Sequence, residues 1–366
     1  MDNTVPQLSK HKLFDLYTDY LSVSTSQVTA TGLSNILDNE ISHDKITRFL
    51  SSEEFKSKDL WKLVKKKVRE IASEDGVLIF DDSVEEKRYT DETELICWHW
   101  DHTIGKSVKG VNQLSLIYYS KEITIPVGLE FVRKTEFKWD KKKNKMKRYS
   151  IKDKNEYFRE MLLIAEKNQI IYKYTMTDSW YFNTENINYI KLEMKKDFIM
   201  AYKATTHLFL SKEDMQDGLN IDVESLKDKE CILVYIKGVE FPLKLSKHVL
   251  KDQDNKKIAL YLVTSDLTLD SENMRKLYEK RWKIEEFFKS MKSNCSYSKS
   301  PTGTIKTQIN HFFCSVYSVF KLEILKIHSG YNHFALKSKI YLAGVKKAFE
   351  ELMNIKKQAN IFSGTI

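Results

Sequence analysis

Two predicted strands in this chain each end at an aspartate, and this arrangement restricts the possible folds. Residues 77–80 are continuously apolar and are followed by Asp81. A continuous apolar run of this length is typical of a strand buried on both faces, which requires helices on both sides of a sheet. Residues 172–177 form the second predicted strand, and Asp178 follows it. The pattern therefore predicts an α/β fold with a buried sheet.

Both aspartates are candidate metal ligands. Asp178 continues the strand face that carries Tyr174 and Met176, because alternate residues of a strand share a face. A carboxylate on a buried face is costly unless a compensating charge lies close to it. A divalent cation is one natural partner for such a carboxylate.

A third acidic candidate, Glu285, lies on a predicted long helix that begins near Asp270 or Ser271 and runs past residue 292. At about 100° per residue, the spacing Y-x2-R-x3-E-x6-K places its four residues within a stripe of about 80°. Arginine and lysine suit phosphates and glutamate suits a metal, although any single charge here would also fit a surface salt bridge. The stripe consists of Tyr278, Arg281, Glu285 and Lys292. Lys289 also lies on it, and the aromatic residue Trp282 flanks it.

Two choices near the first strand stay open. Asp81 and Asp82 point to opposite faces of an extended strand, so only one of them can easily be a ligand. Asp81 is the first choice and Asp82 the alternative. His99 and His102 would also lie on opposite strand faces, which argues against a two-histidine metal site, and neither is assigned a role.

The N-terminal residues 1–72 have helical patterns. Residues 32–50 predict a helix, a turn and a second helix, with Ser42 as the N-cap of the second. Lys45 and Arg48 would lie on the polar side of that second helix. The segment fits either a small bundle with a solvated basic face or a DNA-recognition unit of helix-turn-helix type. These residues alone favour the bundle, because such patterns are common.

Three other segments differ in character. The basic run 141–148 fits either a solvated loop or a loop that contacts phosphates. Residues 197–266 predict short strands that form a β-rich insertion, unless some of them belong to the main sheet. Residues 308–353 are mostly helical in pattern, and the apolar stretch 311–327 is interrupted by charges, which favours a core helix over a membrane span.

Composition narrows the class of protein. The 366 residues carry a formal net charge of +9, which suggests a polyanionic partner. The four cysteines are far apart, so a structural zinc site or a disulfide framework is not expected, and a reducing cytoplasm fits best. The first residues lack the pattern of a signal peptide.

The Y-x2-R-x3-E-x6-K spacing of residues 278–292 resembles the hallmark of the DDE transposases of bacterial insertion sequences, in the group named after insertion sequence four. Residues 81–83 resemble the first D-x-S/T motif of that family, with Asp81 as its aspartate. Residues 178–181 resemble the second motif, an aspartate that closes a strand before a small residue and an aromatic. Two further segments between these acids look like the family: residues 98–102 and 109–112.

The resemblance implies a ribonuclease H-like core that holds two Mg²⁺ ions, with Mn²⁺ as a substitute, between Asp81, Asp178 and Glu285. Such an enzyme binds double-stranded DNA at the terminal inverted repeats, cleaves the ends and joins the freed 3′ ends to target DNA. Tyr278, Arg281 and Lys292 would grip phosphates near the cleaved end. Trp282 could stack on an unpaired base, although aromatic packing fits it as well.

The resemblance also implies a homodimer on paired DNA ends and a bacterial, nucleoid-associated protein with no membrane partner. Two alternatives remain: a catalytically silent DNA-binding regulator derived from a transposase, and a related metal-dependent nuclease. We expect five segments: a helical DNA-binding domain at 1–72, the first part of the core at 73–196, the β-rich insertion at 197–266, the core helix with the catalytic glutamate at 267–300, and a C-terminal helical region at 301–366.

Overall fold

The computed structural model describes residues 10–52, 54–101, 104–141, 144–251 and 254–358. The predictions that concern the N-terminal signal, His102 and part of the basic run fall on residues outside these ranges. The chain divides into two compact units. A helical unit comprises Met1–Phe55 and Phe288–Ile366, and a sheet unit comprises Lys56–Phe287.

The described secondary structure is as follows. The helices are α1 (Lys10–Val23), α2 (Ala30–Ile36), α3 (His43–Ser51), α4 (Ser57–Ile71), α5 (Lys154–Lys167), α6 (Thr184–Asn188), α7 (Lys212–Asp217), α8 (Ser271–Glu279), α9 (Trp282–Asn294), α10 (Ile305–Ser329) and α11 (His333–Gln358). The strands are β1 (Val77–Glu86), β2 (Cys97–Asp101), β3 (Lys106–Ser120), β4 (Ile123–Phe131), β5 (Glu136–Asp140), β6 (Lys145–Tyr149), β7 (Tyr174–Thr177), β8 (Asp197–Ala201), β9 (Cys231–Val234), β10 (Leu243–Lys251) and β11 (Lys257–Thr264).

The helical unit is built around α10, which is buried along most of its length. The α1 residue Tyr17 places its hydroxyl 3.0 Å from Nδ1 of His311, and the ring of Phe55 stacks on Phe313 with centroids 4.8 Å apart. The predicted helix, turn and helix are present as α2 and α3. Ser42 is the N-cap of α3, and its hydroxyl accepts a hydrogen bond from the Lys45 amide.

The sheet unit contains one mixed nine-stranded sheet in the order β2-β3-β1-β7-β8-β11-β10-β9, with β4 paired to β3. β3 pairs antiparallel with both β1 and β4. β7 pairs in parallel with both β1 and β8. Helix α5 covers one face of the sheet, where the rings of Phe80 and Phe158 lie 4.8 Å apart. The predicted α/β fold with a large sheet is therefore present.

The strands between residues 197 and 266 join this same sheet. β8 pairs in parallel with β7, and β11, β10 and β9 extend the sheet antiparallel from it. The structure thus selects the alternative in which these strands belong to the main sheet. The basic run is also not a loop throughout, since Lys145–Tyr149 form β6, which pairs with β5 in a separate two-stranded sheet.

The predicted single long helix is wrong in one respect, because it is divided into α8 and α9. Asp270 is the N-cap of α8, and its carboxylate accepts a hydrogen bond from the Asn273 amide. Between the two helices the backbone hydrogen bonds join residues three apart in sequence. The Arg281 amide donates to the Tyr278 carbonyl at 2.9 Å, and the Ile284 amide donates to the Arg281 carbonyl at 3.1 Å. This tightened turn is of the 3₁₀ type.

In the described part of the chain, no helix combines the length and the apolar character that crossing a membrane requires.

Candidate active site

Two parallel strands bring Asp81 and Asp178 together. The prediction that the first strand ends at Asp81 is wrong, because β1 continues to Glu86 and Asp81 lies inside it, whereas Asp178 directly follows β7. β1 and β7 pair with Val77 opposite Tyr174 and Ile79 opposite Met176. This register has an offset of 97 residues, and the same offset separates Asp81 from Asp178. Asp178 follows β7 directly, so continuing the register places it beside Asp81 on a strand about 4.8 Å away.

The two carboxyl groups are held in an environment that resists a double negative charge. Burial raises the pKa of Asp81 well above its usual value, and the negative charges of Asp178 and Asp82 raise it further. Burial also raises the pKa of Asp178, against the hydrogen bond that its carboxylate accepts from the Trp180 amide at 3.0 Å. Such a pair calls for a cation when both groups are ionised.

Asp82, although adjacent to Asp81 in sequence, accepts hydrogen bonds from three side chains. Its Oδ1 accepts hydrogen bonds from Lys154 Nζ at 2.8 Å and from the Tyr181 hydroxyl at 2.7 Å. Its Oδ2 accepts one from the Asn112 side-chain amide at 3.0 Å. Lys154 also lies over the Trp180 ring, 4.1 Å from its centroid. Asp82 is on the sheet face that α5 covers, because it alternates with Phe80.

Arg281 links Asp81 to Glu285. Its Nη1 lies 3.7 Å from Oδ2 of Asp81, and its Nη2 donates a hydrogen bond to Oε1 of Glu285 at 3.2 Å. The Arg281 side chain is 14% exposed and that of Glu285 is 43% exposed. The tightened turn between α8 and α9 therefore places a guanidinium between the half-buried Asp81 carboxylate and the more exposed carboxylate of Glu285.

The donor set fits a hard divalent cation. Asp81, Asp178 and Glu285 offer carboxylate oxygens, which are the ligands that Mg²⁺ prefers. The raised pKa values of the two aspartates give a physical reason for a cation at this place. Within the described residues, no group of three or more acidic, histidine or cysteine side chains is already gathered as a metal cluster. Arg281 partly compensates the carboxylates instead.

Tyr278 and Trp282 flank this arginine in different environments. The Tyr278 hydroxyl donates a hydrogen bond to the Thr177 carbonyl at 3.1 Å, one residue before Asp178. Burial raises the pKa of Tyr278, which keeps the phenol neutral. Trp282 is 59% exposed, and the Arg281 guanidinium lies 5.9 Å from its ring centroid. Tyr278 thus anchors α8 to the end of β7, and Trp282 faces solvent.

The other predicted DNA-binding residues belong to the helical unit. Lys289 and Lys292 are on the C-terminal part of α9, where Lys289 is exposed and Lys292 is half-buried. Lys45 and Arg48 lie on α3, where Arg48 is exposed on the side opposite the buried residues and Lys45 is half-buried at the flank.

Sequence reasoning missed the residues that support Asp82. Tyr181 and Asn112 lie inside segments that resemble the transposases, so the sequence marked these segments. It did not indicate that either residue donates a hydrogen bond to Asp82. Lys154 follows the N-cap of α5 and had no signal at all. His99 is buried with Nε2 3.2 Å from the Cys97 sulfur, and burial lowers its pKa to about 3. It is therefore a neutral core histidine.

Comparison with protein-family models matches residues 4–215 to the DDE superfamily endonucleases and residues 134–308 to the transposase DDE domain. The first match covers more than half of the chain and includes Asp81 and Asp178, and the second includes Asp178 and Glu285. Curated proteins gave no match. Among solved structures, the Drosophila P element transposase strand transfer complex matches with 9% identity and a TM-score of 0.30, over 94% of this chain and 86% of that chain. The chain belongs to the DDE superfamily endonucleases, and the transposase DDE domain match supports a DDE transposase.

Proposed function

We propose that this protein is a DNA transposase of the insertion-sequence-four group that cleaves the terminal inverted repeats of its element and joins the 3′ ends to target DNA. The observation that carries the proposal is the strand register that sets Asp81 beside Asp178, with Arg281 joining Asp81 to Glu285. On this proposal, binding of a metal ion draws the three carboxylates, which are remote in sequence, into one site. A ribonuclease H-like core is the fold we propose for this mixed sheet.

Asp81, Asp178 and Glu285 would hold two Mg²⁺ ions, or Mn²⁺ in their place. When bound, such a pair supplies charge stabilisation for the attacking and leaving oxygens of a phosphoryl displacement. The chain's own residues orient the site around it. The Trp180 amide donates a hydrogen bond that orients the Asp178 carboxylate. The Tyr278 hydroxyl links α8 to Thr177, the residue before Asp178.

Arg281 has two roles in this proposal. Without DNA, its guanidinium compensates the charges of Asp81 and Glu285. The same planar donor fork suits the oxygens of a phosphate, so Arg281 would also grip the DNA backbone near the scissile bond. Trp282 is exposed beside it and can stack on a base. Lys289, Lys292, Lys45 and Arg48 would contribute further phosphate contacts from the helical unit.

We also propose that the active form is a homodimer assembled on two DNA ends. None of the described side chains of α11 is buried within the helical unit. The helix instead exposes apolar residues at helical spacing, among them Tyr341, Val345, Phe349 and Leu352. A second copy of the chain is the partner we propose for this face. The bacterial cytoplasm, at the nucleoid, is the proposed location.

The test is cleavage of DNA that carries the sequences flanking the gene, with Mg²⁺ or Mn²⁺. We expect nicking at the element ends by the unaltered protein and loss of nicking in Asp178→Ala, with DNA binding retained. Unimpaired cutting by Asp178→Ala would remove that aspartate from the mechanism. A protein that binds the ends and never cuts them with either metal would favour the silent regulator.

A related nuclease is the second candidate, because one of the two matching family descriptions names endonucleases. A pre-cut end with a free 3′ hydroxyl separates the two. Joining of that end to a target duplex supports the transposase. Cleavage without joining supports the nuclease.

A further inference from the structure

Lys154, the first residue of α5, contacts the side chains of two residues from different parts of the sheet unit. Its ammonium group lies 2.8 Å from Oδ1 of Asp82 and 4.1 Å from the centroid of the Trp180 ring. Asp82 belongs to β1, whereas Trp180 lies in a short 3₁₀ turn that follows β7. Lys154 therefore joins the two segments that carry Asp81 and Asp178.

The backbone amides of the same two residues bind the candidate metal ligands. The Asp82 amide donates a hydrogen bond to Oδ1 of Asp81 at 2.7 Å. The Trp180 amide donates one to Oδ1 of Asp178 at 3.0 Å. Each of the two residues thus offers its side chain to Lys154 and its amide to a carboxylate of the site. Partners of this kind orient metal ligands and are nearly as important as the ligands themselves.

The start of α5 is bonded to the same part of the chain by the neighbour of Lys154. Oδ1 of Asn155 accepts hydrogen bonds from the side-chain amides of Asn183 at 3.0 Å and Asn186 at 2.8 Å. The Asn186 side chain also donates to the Tyr181 carbonyl at 2.8 Å. Lys154 therefore projects from a helix start that is fixed to the segment after β7.

We propose that Lys154 is a positioning residue that orients the carboxylates of Asp81 and Asp178 toward the metal ions. This inference rests on the proposed function, because that function supplies the metal. The Lys154 side chain is half-buried, and its ammonium group is engaged between Asp82 and the Trp180 ring. It acts on the ligands through these two residues rather than by touching the metal or the DNA.

A simple charge effect of Lys154 would have the opposite sign. Burial raises the pKa of Asp178, and the positive charge of Lys154 acts in the other direction, so this charge is felt at the site. Removing a positive charge near a cation site strengthens cation binding, because like charges repel. Losing the orientation of the carboxylates weakens it instead. The direction of the change in metal affinity therefore separates positioning from a charge effect.

The test measures the affinity of the full chain for Mn²⁺ without DNA, from the electron paramagnetic resonance signal of free Mn²⁺, below the unfolding temperature of every variant. We expect Lys154→Met to raise the Mn²⁺ dissociation constant by about 10- to 100-fold, as for the loss of other partners of metal ligands. Lys154→Arg keeps a cation that can pair with Asp82 and stack on Trp180. Its Mn²⁺ affinity should be closer to that of the unaltered protein than to that of Lys154→Met.

Lys191→Met is the matched control. Lys191 lies 2.6 Å from Oδ1 of Asp197, and both side chains are partly buried. Asp197 pairs with Tyr174 at the start of β7, whereas Asp178 follows the end of that strand. This variant also removes a lysine from an ion pair with an aspartate of the sheet unit. It should lower the unfolding temperature and leave the Mn²⁺ affinity unchanged.

Three outcomes would overturn the positioning proposal. These are no Mn²⁺ binding by the unaltered chain, an equal or higher Mn²⁺ affinity in Lys154→Met, or an equal loss of affinity in Lys191→Met. Cleavage of the element ends is read in a separate assay with Mg²⁺. Weaker Mn²⁺ binding in Lys154→Met alone, without cleavage by the unaltered protein, would reject the proposed transposase and keep the positioning role. Cleavage by the unaltered protein with equal Mn²⁺ affinity in Lys154→Met would do the reverse.

Discussion

Asp81 and Asp82 are neighbours in sequence and yet occupy two different chemical environments. Asp82 accepts three hydrogen bonds from protein groups, including one from a lysine, whereas Asp81 is half-buried beside Asp178 with Arg281 3.7 Å away. The difference arises from strand alternation, which turns the two side chains to opposite faces of β1. On our proposal, the carboxylate with three protein hydrogen bonds supports the fold, and the less compensated one is a metal ligand.

The largest expected effect distinguishes the two aspartates in catalysis. We expect Asp81→Asn to reduce metal-dependent DNA cleavage by more than about 100-fold, because a lost metal ligand removes several kcal/mol of charge stabilisation. Asp82→Asn keeps the shape and an acceptor oxygen, so cleavage should fall by no more than about 10- to 100-fold, as for an outer-shell residue. The measurement is the initial rate of nicking at saturating Mg²⁺. Equal losses in the two variants would contradict the assignment.

The next effect concerns stability and should fall on the other aspartate. Asp82→Ala leaves Lys154, whose side chain is 18% exposed, without its carboxylate. We expect a loss of about 2–3 kcal/mol in the free energy of unfolding, measured with urea, because a largely buried charge becomes uncompensated. Adding Lys154→Met should recover most of that loss. A double variant as unstable as the single one would show that the ion pair is not the cause.

A smaller effect is the pH dependence of stability without metal. The folded-state pKa values of Asp81 and Asp178 are raised, so their contribution is present at acidic pH and is lost as the pH rises through those values. Asp81→Asn removes one such group. Metal-free Asp81→Asn should therefore be more stable than the unaltered protein at neutral pH, and the difference should shrink toward pH values of about 4. A difference that is constant with pH would argue against the raised pKa.

The smallest effect tests the anchor of α8. Tyr278→Phe removes the hydrogen bond to the Thr177 carbonyl and keeps the ring in place. We expect a loss of about 1 kcal/mol in the free energy of unfolding, the usual contribution of one neutral hydrogen bond. Cleavage should change by less than the loss seen for Asp82→Asn. A larger loss of cleavage than of stability would give the phenol a direct role at DNA.

Much of the candidate site could be predicted because apolar runs and residue spacing are local features, although the end of β1 at Glu86 was not predicted. The runs before Asp81 and Asp178 indicated buried strands, and the parallel pairing of β1 and β7 follows from an α/β fold. The division at Lys280 and Arg281 could not be foreseen, since both are good helix formers. The partners of Asp82 were also hidden, because Lys154 reaches it through tertiary packing.

Strand pairing in the large sheet and between β5 and β6 was also hidden from the sequence. The strands of residues 197–266 gave no sign of which sheet they would join, because pairing is a non-local choice. The basic run was expected as a loop, since charge dominated its composition. Residues 136–140 alternate charged and aromatic side chains, but the sequence alone does not show that residues 145–149 are their partner.

The most direct test of the central claim is the position of Mn²⁺ in crystals of the protein, located by anomalous scattering. The account predicts manganese between Asp81 and Asp178, with Arg281 displaced from Asp81 and Glu285 turned toward the metal. Manganese bound on the Asp82 face, or none near Asp178 at millimolar concentrations, would contradict it.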